Sequence, residues 1–471
     1  MEENPSEFYD EDVLEIVNRF QSMTSNQNFE YFDVFEIESV VDFFLDENDT
    51  NQAWQAVNHG MAIHPSSITL KLKKAQILVV EGDVEESLEL LSVVELVEDT
   101  NTDVFLTKGS ALIALGKIEE AIEAFDLAIF YNSEENDELL YNISVSLAQA
   151  NENEMALKFL MQAYDINPKN DLVLYELGYA YDKKQDYDSS IKFYNEYLDV
   201  DPFSASVWYN LGITFNKLNK HEEAIEAYDF AIALQNDFEQ AYFNKANALS
   251  NCSQYKEAIS CYKEYLKLDK MNDDAYCYLG ECYLNLEQYK EAIENYRKAL
   301  RINEYNANAW YGTSVIMWLE GKAKQAGPIA KRALRIDNEN ADYWLIYGKI
   351  SHELEQFEVA EKAFAKATTL DSENHDAWVS YAEMKYEMGM LSDAIDILKK
   401  ASRFNVNDSV IKYRLTAYLL ENNDELSATD YFEKALELDF NGYQNLFDYY
   451  PEAVQNESIK KLIKKHKSTK L

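Results

Sequence analysis

The sequence predicts an all-α solenoid of about twelve helix-turn-helix repeats. Three observations carry that expectation. A register recurs every 34 residues, small side chains hold two fixed places in each block, and 47% hydrophobic residues stand beside only 13 Gly and 6 Pro. A chain of 471 residues would otherwise suggest two or three globular domains, whereas stacked repeats form one continuous body. Scarce Gly and Pro leave little material for turns and favour helices.

The blocks begin at 34, 68, 102, 137, 171, 205, 239, 273, 307, 341, 375 and 409. The third alone carries an extra residue, in the loop from Ser133 to Asn136. Each block holds two stretches with apolar residues at helical spacing, parted by a short turn such as Asn219-Lys220 or Glu320-Gly321. The eighth position is small in most blocks, as at Gly109, Gly178, Gly212, Gly280 and Gly348, and the twentieth is Ala or Ser, as at Ala121, Ser190 and Ala292. Large residues alternate with these, among them Trp208, Trp310 and Trp344 at the fourth position and Tyr194, Tyr228, Tyr262 and Tyr296 at the twenty-fourth. Knobs and clefts of this kind interlock down a stack.

Trp208, Leu211, Gly212 and Phe215 follow a W-x2-L-G-x2-Y signature with one aromatic exchange, and Leu174, Leu177, Gly178 and Tyr181 follow it again. Ala121 to Phe125 and Ala224 to Tyr228 supply an A-x3-F element, and Pro65, Pro168 and Pro202 the closing proline. On these residues the chain resembles the tetratricopeptide repeat family, over 34–442. The resemblance implies a right-handed superhelical solenoid, with the first helix of each repeat lining a concave groove and the second on the convex side. The composition, rich in Asn, Tyr, Glu and Lys, also resembles that of proteins from Bacteroidetes bacteria.

Flanking the repeats, residues 1–33 read as an acidic segment with a leading helix over 8–23, and 443–471 as a capping helix with a basic tail. The first two blocks fit least well, with Val41 at the eighth position and Lys71 at the fourth, as a capped end requires. Residues 1–70 hold fifteen carboxylates and one base, Arg19, while 459–471 hold six lysines and no acid. That tail has three readings: solvated, docked on an acidic groove of its own or a second molecule, or set against anionic lipid.

The formal charge of -42 repels nucleic-acid phosphates and attracts cationic partners. The first twenty residues lack a basic n-region and a continuous apolar h-region, and no stretch offers the roughly 20 apolar residues of a membrane span. The expected location is the cytoplasm, with membrane contact disfavoured. Cys252, Cys261, Cys277 and Cys282 lack paired CxxC spacing and read as reduced thiols, so no metal or cofactor is expected. Neither GxxxxGK[ST] nor GxSxG occurs, close carboxylate pairs arise by chance among 85 acids, and no catalytic residues are assigned.

The resemblance places the working surface at positions two, five, six, nine, twelve and thirteen of the first helix. From the fourth to the seventh repeat the candidates there are Tyr141, Asn142, Tyr175, Tyr179, Tyr209, Asn210, Asn216, Phe243, Asn244 and Asn247. Asn both donates to and accepts from a peptide backbone, and Tyr adds contact area at small entropic cost. Family members use such Asn rows to grip extended chains, although Glu176 interrupts this one. Members that hold acidic C-terminal tails need basic groove residues where this chain has Gln240, Asp274 and Tyr278, so such tails are not expected ligands. Beyond, the inner positions become Asp274, Glu281, Asp342, Glu353, Asp376, Glu383 and Glu387, relieved by Lys349 and Arg414, which favours a neutral or basic protein or peptide. The expected function is a non-catalytic scaffold or adaptor; a regulatory or chaperone-like receptor for a short cationic peptide is the second reading.

One repeat is irregular. Gly327-Pro328 falls inside its second helix, where a proline predicts a kink and flexure point, or else a helix that starts late.

Overall fold

The computed structural model describes residues 11–26, 28–132 and 136–469. Residues 8–10 of the expected leading helix, 133–135 of the long loop and 470–471 of the basic tail lie outside the described residues. The chain divides into two compact units, 1–235 and 236–471. Among the described residues every element is helical.

The first unit opens with α1 (Glu11–Ser25), which runs two residues past the expected end at 23. Hairpins follow as α2–α3 (Val34–Asp46, Thr50–Ile63), α4–α5 (Ile68–Glu81, Val84–Glu95), α6–α7 (Thr102–Ala114, Ile118–Tyr131), α8–α9 (Asp137–Gln149, Asn153–Ile166), α10–α11 (Asp171–Lys183, Tyr187–Val200) and α12–α13 (Ala205–Lys217, His221–Leu234). The second unit continues with α14–α15 (Glu239–Asn251, Tyr255–Leu268), α16–α17 (Asp273–Asn285, Tyr289–Ile302), α18–α19 (Ala307–Leu319, Ala323–Ile336), α20–α21 (Ala341–Glu353, Phe357–Leu370), α22–α23 (His375–Glu387, Leu391–Phe404) and α24–α25 (Ser409–Glu421, Glu425–Leu438). Two further helices, α26 (Gln444–Tyr449) and α27 (Glu457–Thr469), close the chain.

Local chemistry sets these ends. Asn101, Asn136, Asn170, Asn272, Asn306, Asn340 and Asn374 stand at the N-caps of first helices, each side chain accepting a backbone N–H of the first turn. Each hairpin turn holds one residue at positive φ: Gly82, Gly116, Gly321 and Gly389, but also Asn48, Asn151, Gln185, Asn219, Ser253, Glu287, Glu355 and Asn423. That left-handed residue stops the first helix and starts the reversal.

The small eighth position receives the large twenty-fourth. A methyl at Gly178 would lie 2.5 Å from Tyr194 Cε1, at Gly212 2.6 Å from Tyr228 and at Gly348 2.7 Å from Phe364, so in these hairpins the ring takes the space a Cβ would need, whereas Ala246 stands opposite Tyr262. Tyr194, Tyr228, Tyr262, Tyr296 and Phe364 are thereby fully buried. First helices of successive hairpins also touch each other, as α4 with α6 and α16 with α18.

Within α19, Pro328 is internal to a helix that begins at Ala323, in register with the other second helices, so the late start is corrected. The basic tail docks by its apolar side while Lys460, Lys461, Lys464, Lys465 and Lys467 stay exposed. Ile459 of α27 is buried in the core of α24 and α25, Leu462 and Ile463 pack against it, and Lys465 pairs with Glu433 at 2.7 Å.

Candidate functional site

In the first unit α8, α10 and α12 present Tyr141, Asn142, Tyr175, Tyr179, Tyr209, Asn210 and Asn216. Asn142 is exposed, and Tyr179 is 43% exposed with the Lys183 ammonium 4.8 Å from its ring centroid. The other rings are half-buried. Tyr175 meets Tyr194 and Tyr197 edge-on at 6.4 Å, and Tyr209 tilts against Tyr228 at 5.9 Å, so these aromatics partly serve the core.

The structure brings Tyr175 and Asn210 together across adjacent hairpins, where Asn210 Nδ2 donates to Tyr175 Oη at 3.1 Å. Asn216 Oδ1 lies 2.6 Å from His221 Nδ1 on the following helix. Burial raises the pKa of Glu176, with Lys183 opposing the shift, and burial followed by Glu176 and Asp171 raises the Tyr141 hydroxyl. Asp182 was not singled out in the sequence. It accepts from Thr214 Oγ1 at 3.2 Å and pairs with Lys217 Nζ at 2.5 Å, and its signal was its place one repeat before Asn216.

In the second unit Phe243 lies among Tyr262, Tyr265 and Tyr278, with ring centroids 6.0, 5.1 and 6.0 Å away. Asn244 is half-buried, and Asn247 Oδ1 accepts a short hydrogen bond from the buried Tyr262 hydroxyl. The Asn side chains are thus not a free ladder, because Asn210, Asn216 and Asn247 each spend one polar atom inside the fold. An amide keeps further donor and acceptor capacity after one such bond.

The acidic stretch of the second unit is more specific than its composition. Burial raises the pKa of Glu281, and burial followed by Asp273 raises Asp274, which accepts from Asn306 Nδ2 at 3.2 Å. Glu281 remains accessible to solvent, yet its charge is felt by Tyr262, Tyr278, Tyr296 and Tyr311. The two cations expected to relieve the row are already committed. Lys349 Nζ sits 3.9 Å from Asp376, and Arg414 donates to Glu383 at 2.9 Å while lying 4.4 Å above the Tyr449 ring.

No group of three or more His, Cys, Asp or Glu suited to a metal ion exists among the described residues. All four cysteines are thiols outside any disulfide, and burial first, with a smaller effect from Glu281, pushes Cys282 up to about 11. Among the described residues no helix is long and apolar enough to cross a membrane.

Helical hairpins repeated on one register define a tandem-repeat protein of the helical-hairpin class. The chain belongs to the tetratricopeptide repeat family, whose models match residues 106–171, 173–204, 205–238, 239–270, 273–306 and 341–374. No curated protein matches the chain in sequence. Solved structures similar to it include yeast Tom70 (17% identity, 89% of this chain and 96% of that one, TM-score 0.45) and a tetratricopeptide repeat protein from Parabacteroides merdae (19% identity, 52% and 97%, TM-score 0.45). YrrB, described as a TPR protein with an unusual peptide-binding site, shares 26% identity over 38% of this chain and 93% of its own, with a TM-score of 0.31.

Proposed function

We propose that this chain is a non-catalytic interaction scaffold of the cytoplasm, and that its inner rows bind a neutral to basic segment of a partner protein. The repeat family is one of protein-binding modules, which supports the general reading. Tyr179 and Asn142 offer an exposed aromatic and an exposed amide in the first unit, beside Tyr141, Tyr175, Tyr209, Asn210 and Asn216. Phe243, Asn244 and Asn247 would serve the second.

The observation that carries the charge preference is Glu281. Its carboxylate is exposed on α16, and its charge acts on the Tyr278 and Tyr311 hydroxyls, so the row presents a solvent-accessible anion among aromatic residues. A lysine or arginine of a partner would pair with that anion and gain the faces of Tyr278 and Tyr311. The second reading, a receptor for a short cationic peptide, uses the same residue and differs only in ligand length. Exposed charges of the row would steer and select rather than supply most of the affinity.

The test is capture from a native lysate, at low and high salt, by the wild-type chain, Asn142→Ala/Tyr179→Ala and Glu281→Gln. The reading requires a partner retained by wild type, released by salt and lost from both variants. Partners that bind all three chains equally would place recognition away from the inner rows.

A further inference from the structure

Six second helices carry isoleucine at one shared position, at Ile122, Ile191, Ile225, Ile259, Ile293 and Ile395, where α19 carries Gly327. The missing side chain leaves space. A Cβ at Gly327 would only reach ordinary contact, 3.7 Å from Ile350 and 3.9 Å from Leu354, both on the face of α20 and its following turn. An open cavity of about 470 Å³ lies there, lined by Lys324, Pro328, Lys331, Tyr347, Ile350 and Leu354.

The α19 wall of this slot is basic in an acidic chain, while Glu353 and Glu355 lie at the end of α20 and its turn. Helix α19 carries Lys324, Lys331, Arg332 and Arg335, all exposed, and no acid, in a protein of formal charge -42. Arg332 lies over the Trp310 ring at 4.4 Å, while among the described residues Lys324, Lys331 and Arg335 make no salt bridge. Pro328 adds a backbone acceptor, since it has no N–H for the carbonyl of Lys324 one turn earlier.

We propose that the slot at Gly327, between α19 and α20, docks a short acidic peptide segment that inserts one apolar side chain where six other repeats keep an isoleucine. Carboxylates on either side of that anchor would meet Lys324 and Lys331, and a backbone N–H of the segment would meet the Lys324 carbonyl. An extended polyanion or a lipid surface is disfavoured, because the surrounding negative field acts on every added charge, whereas a short segment presents only a few. The site is separate from the inner row, whose positions lie on another face of α20, and it does not rest on the function proposed above.

The probe is a phage-displayed library of random dodecapeptides selected on the full chain, with the recovered peptides labelled and measured by fluorescence anisotropy. The account expects peptides with acidic residues flanking an apolar one. Gly327→Ile should weaken them by about tenfold or more, and Lys324→Gln/Lys331→Gln by about fivefold with a shallower salt dependence, while Asn142→Ala/Tyr179→Ala leaves them unchanged. Gly327→Ile should keep its helical circular dichroism and a melting temperature at or above that of wild type. The surface lysine pair gives an independent reading should the isoleucine disturb the fold. Recovery of no peptide, of basic peptides only, or of peptides indifferent to both Gly327→Ile and the lysine pair would overturn the proposal.

Discussion

Gly178 and Tyr194 meet as cleft and knob: the tyrosine ring, 1% exposed, fills the space a Cβ would claim, 2.5 Å from where that atom would stand. The same relation joins Gly212 to Tyr228 and Gly280 to Tyr296. It is the contact on which these hairpins close.

Gly178→Ala should therefore destabilise its unit by about 1–3 kcal/mol, the usual cost of overpacking, although alanine is the better helix former. Urea unfolding checks the loss, and Tyr194→Leu in the same chain should recover part of it. A fully additive double variant would show that the ring does not set the cost.

Glu287 and Glu355 hold positive φ in turns where Gly321 and Gly389 hold the same conformation. An L-residue pays about 1–2 kcal/mol there and glycine does not. Glu287→Gly and Glu355→Gly should each raise stability by several tenths to about 1 kcal/mol, seen as a higher melting temperature, with the glycine's entropy offsetting part of the gain.

Pro328 stands inside α19, where proline costs up to about 3 kcal/mol. Amides of 323–336 should exchange faster than those of α17 and α21, and Pro328→Ala should slow them. Equal exchange in all three helices would remove the flexure point.

His375 Nδ1 and Asp408 Oδ2 form a short pair at 2.5 Å between α22 and the cap of α24. The hydrogen bond to Asp408 raises the His375 pKa against the opposing effect of burial. Burial alone would raise Asp408, but the His375 hydrogen bond and backbone donors hold it below its ordinary value. The histidine contribution is fully present below the unfolded pKa of about 6.5 and fades as pH rises through the raised folded value. The aspartate contribution is present above its unfolded pKa and fades as pH falls through the lowered folded one. The stability gap between wild type and His375→Gln should therefore shrink from pH 6 towards pH 8; a constant gap would sink the pairing.

The helical-hairpin class was readable because the small eighth position and the large twenty-fourth are one contact seen from two places in the sequence. Gly178 and Tyr194 lie sixteen residues apart, and the spacing recurs at Gly212 and Tyr228. The state of the inner row was less readable. Nothing in the spacing tells that Asn247 accepts from the buried Tyr262, that Asn216 meets His221, or that Lys349 and Arg414 turn onto neighbouring acids, because these depend on rotamers. The basic tail shows the same limit. Its lysines were conspicuous, but Ile459, Leu462 and Ile463 decide where α27 sits.

The most direct test of the inner-row account is hydrogen–deuterium exchange on the full chain with and without a salt-sensitive partner captured from lysate. The account predicts new protection in the first helices α8, α10 and α16, around Asn142, Tyr179 and Glu281. Protection confined to second helices, or to α1 and α27, with α8, α10 and α16 unchanged, would contradict it.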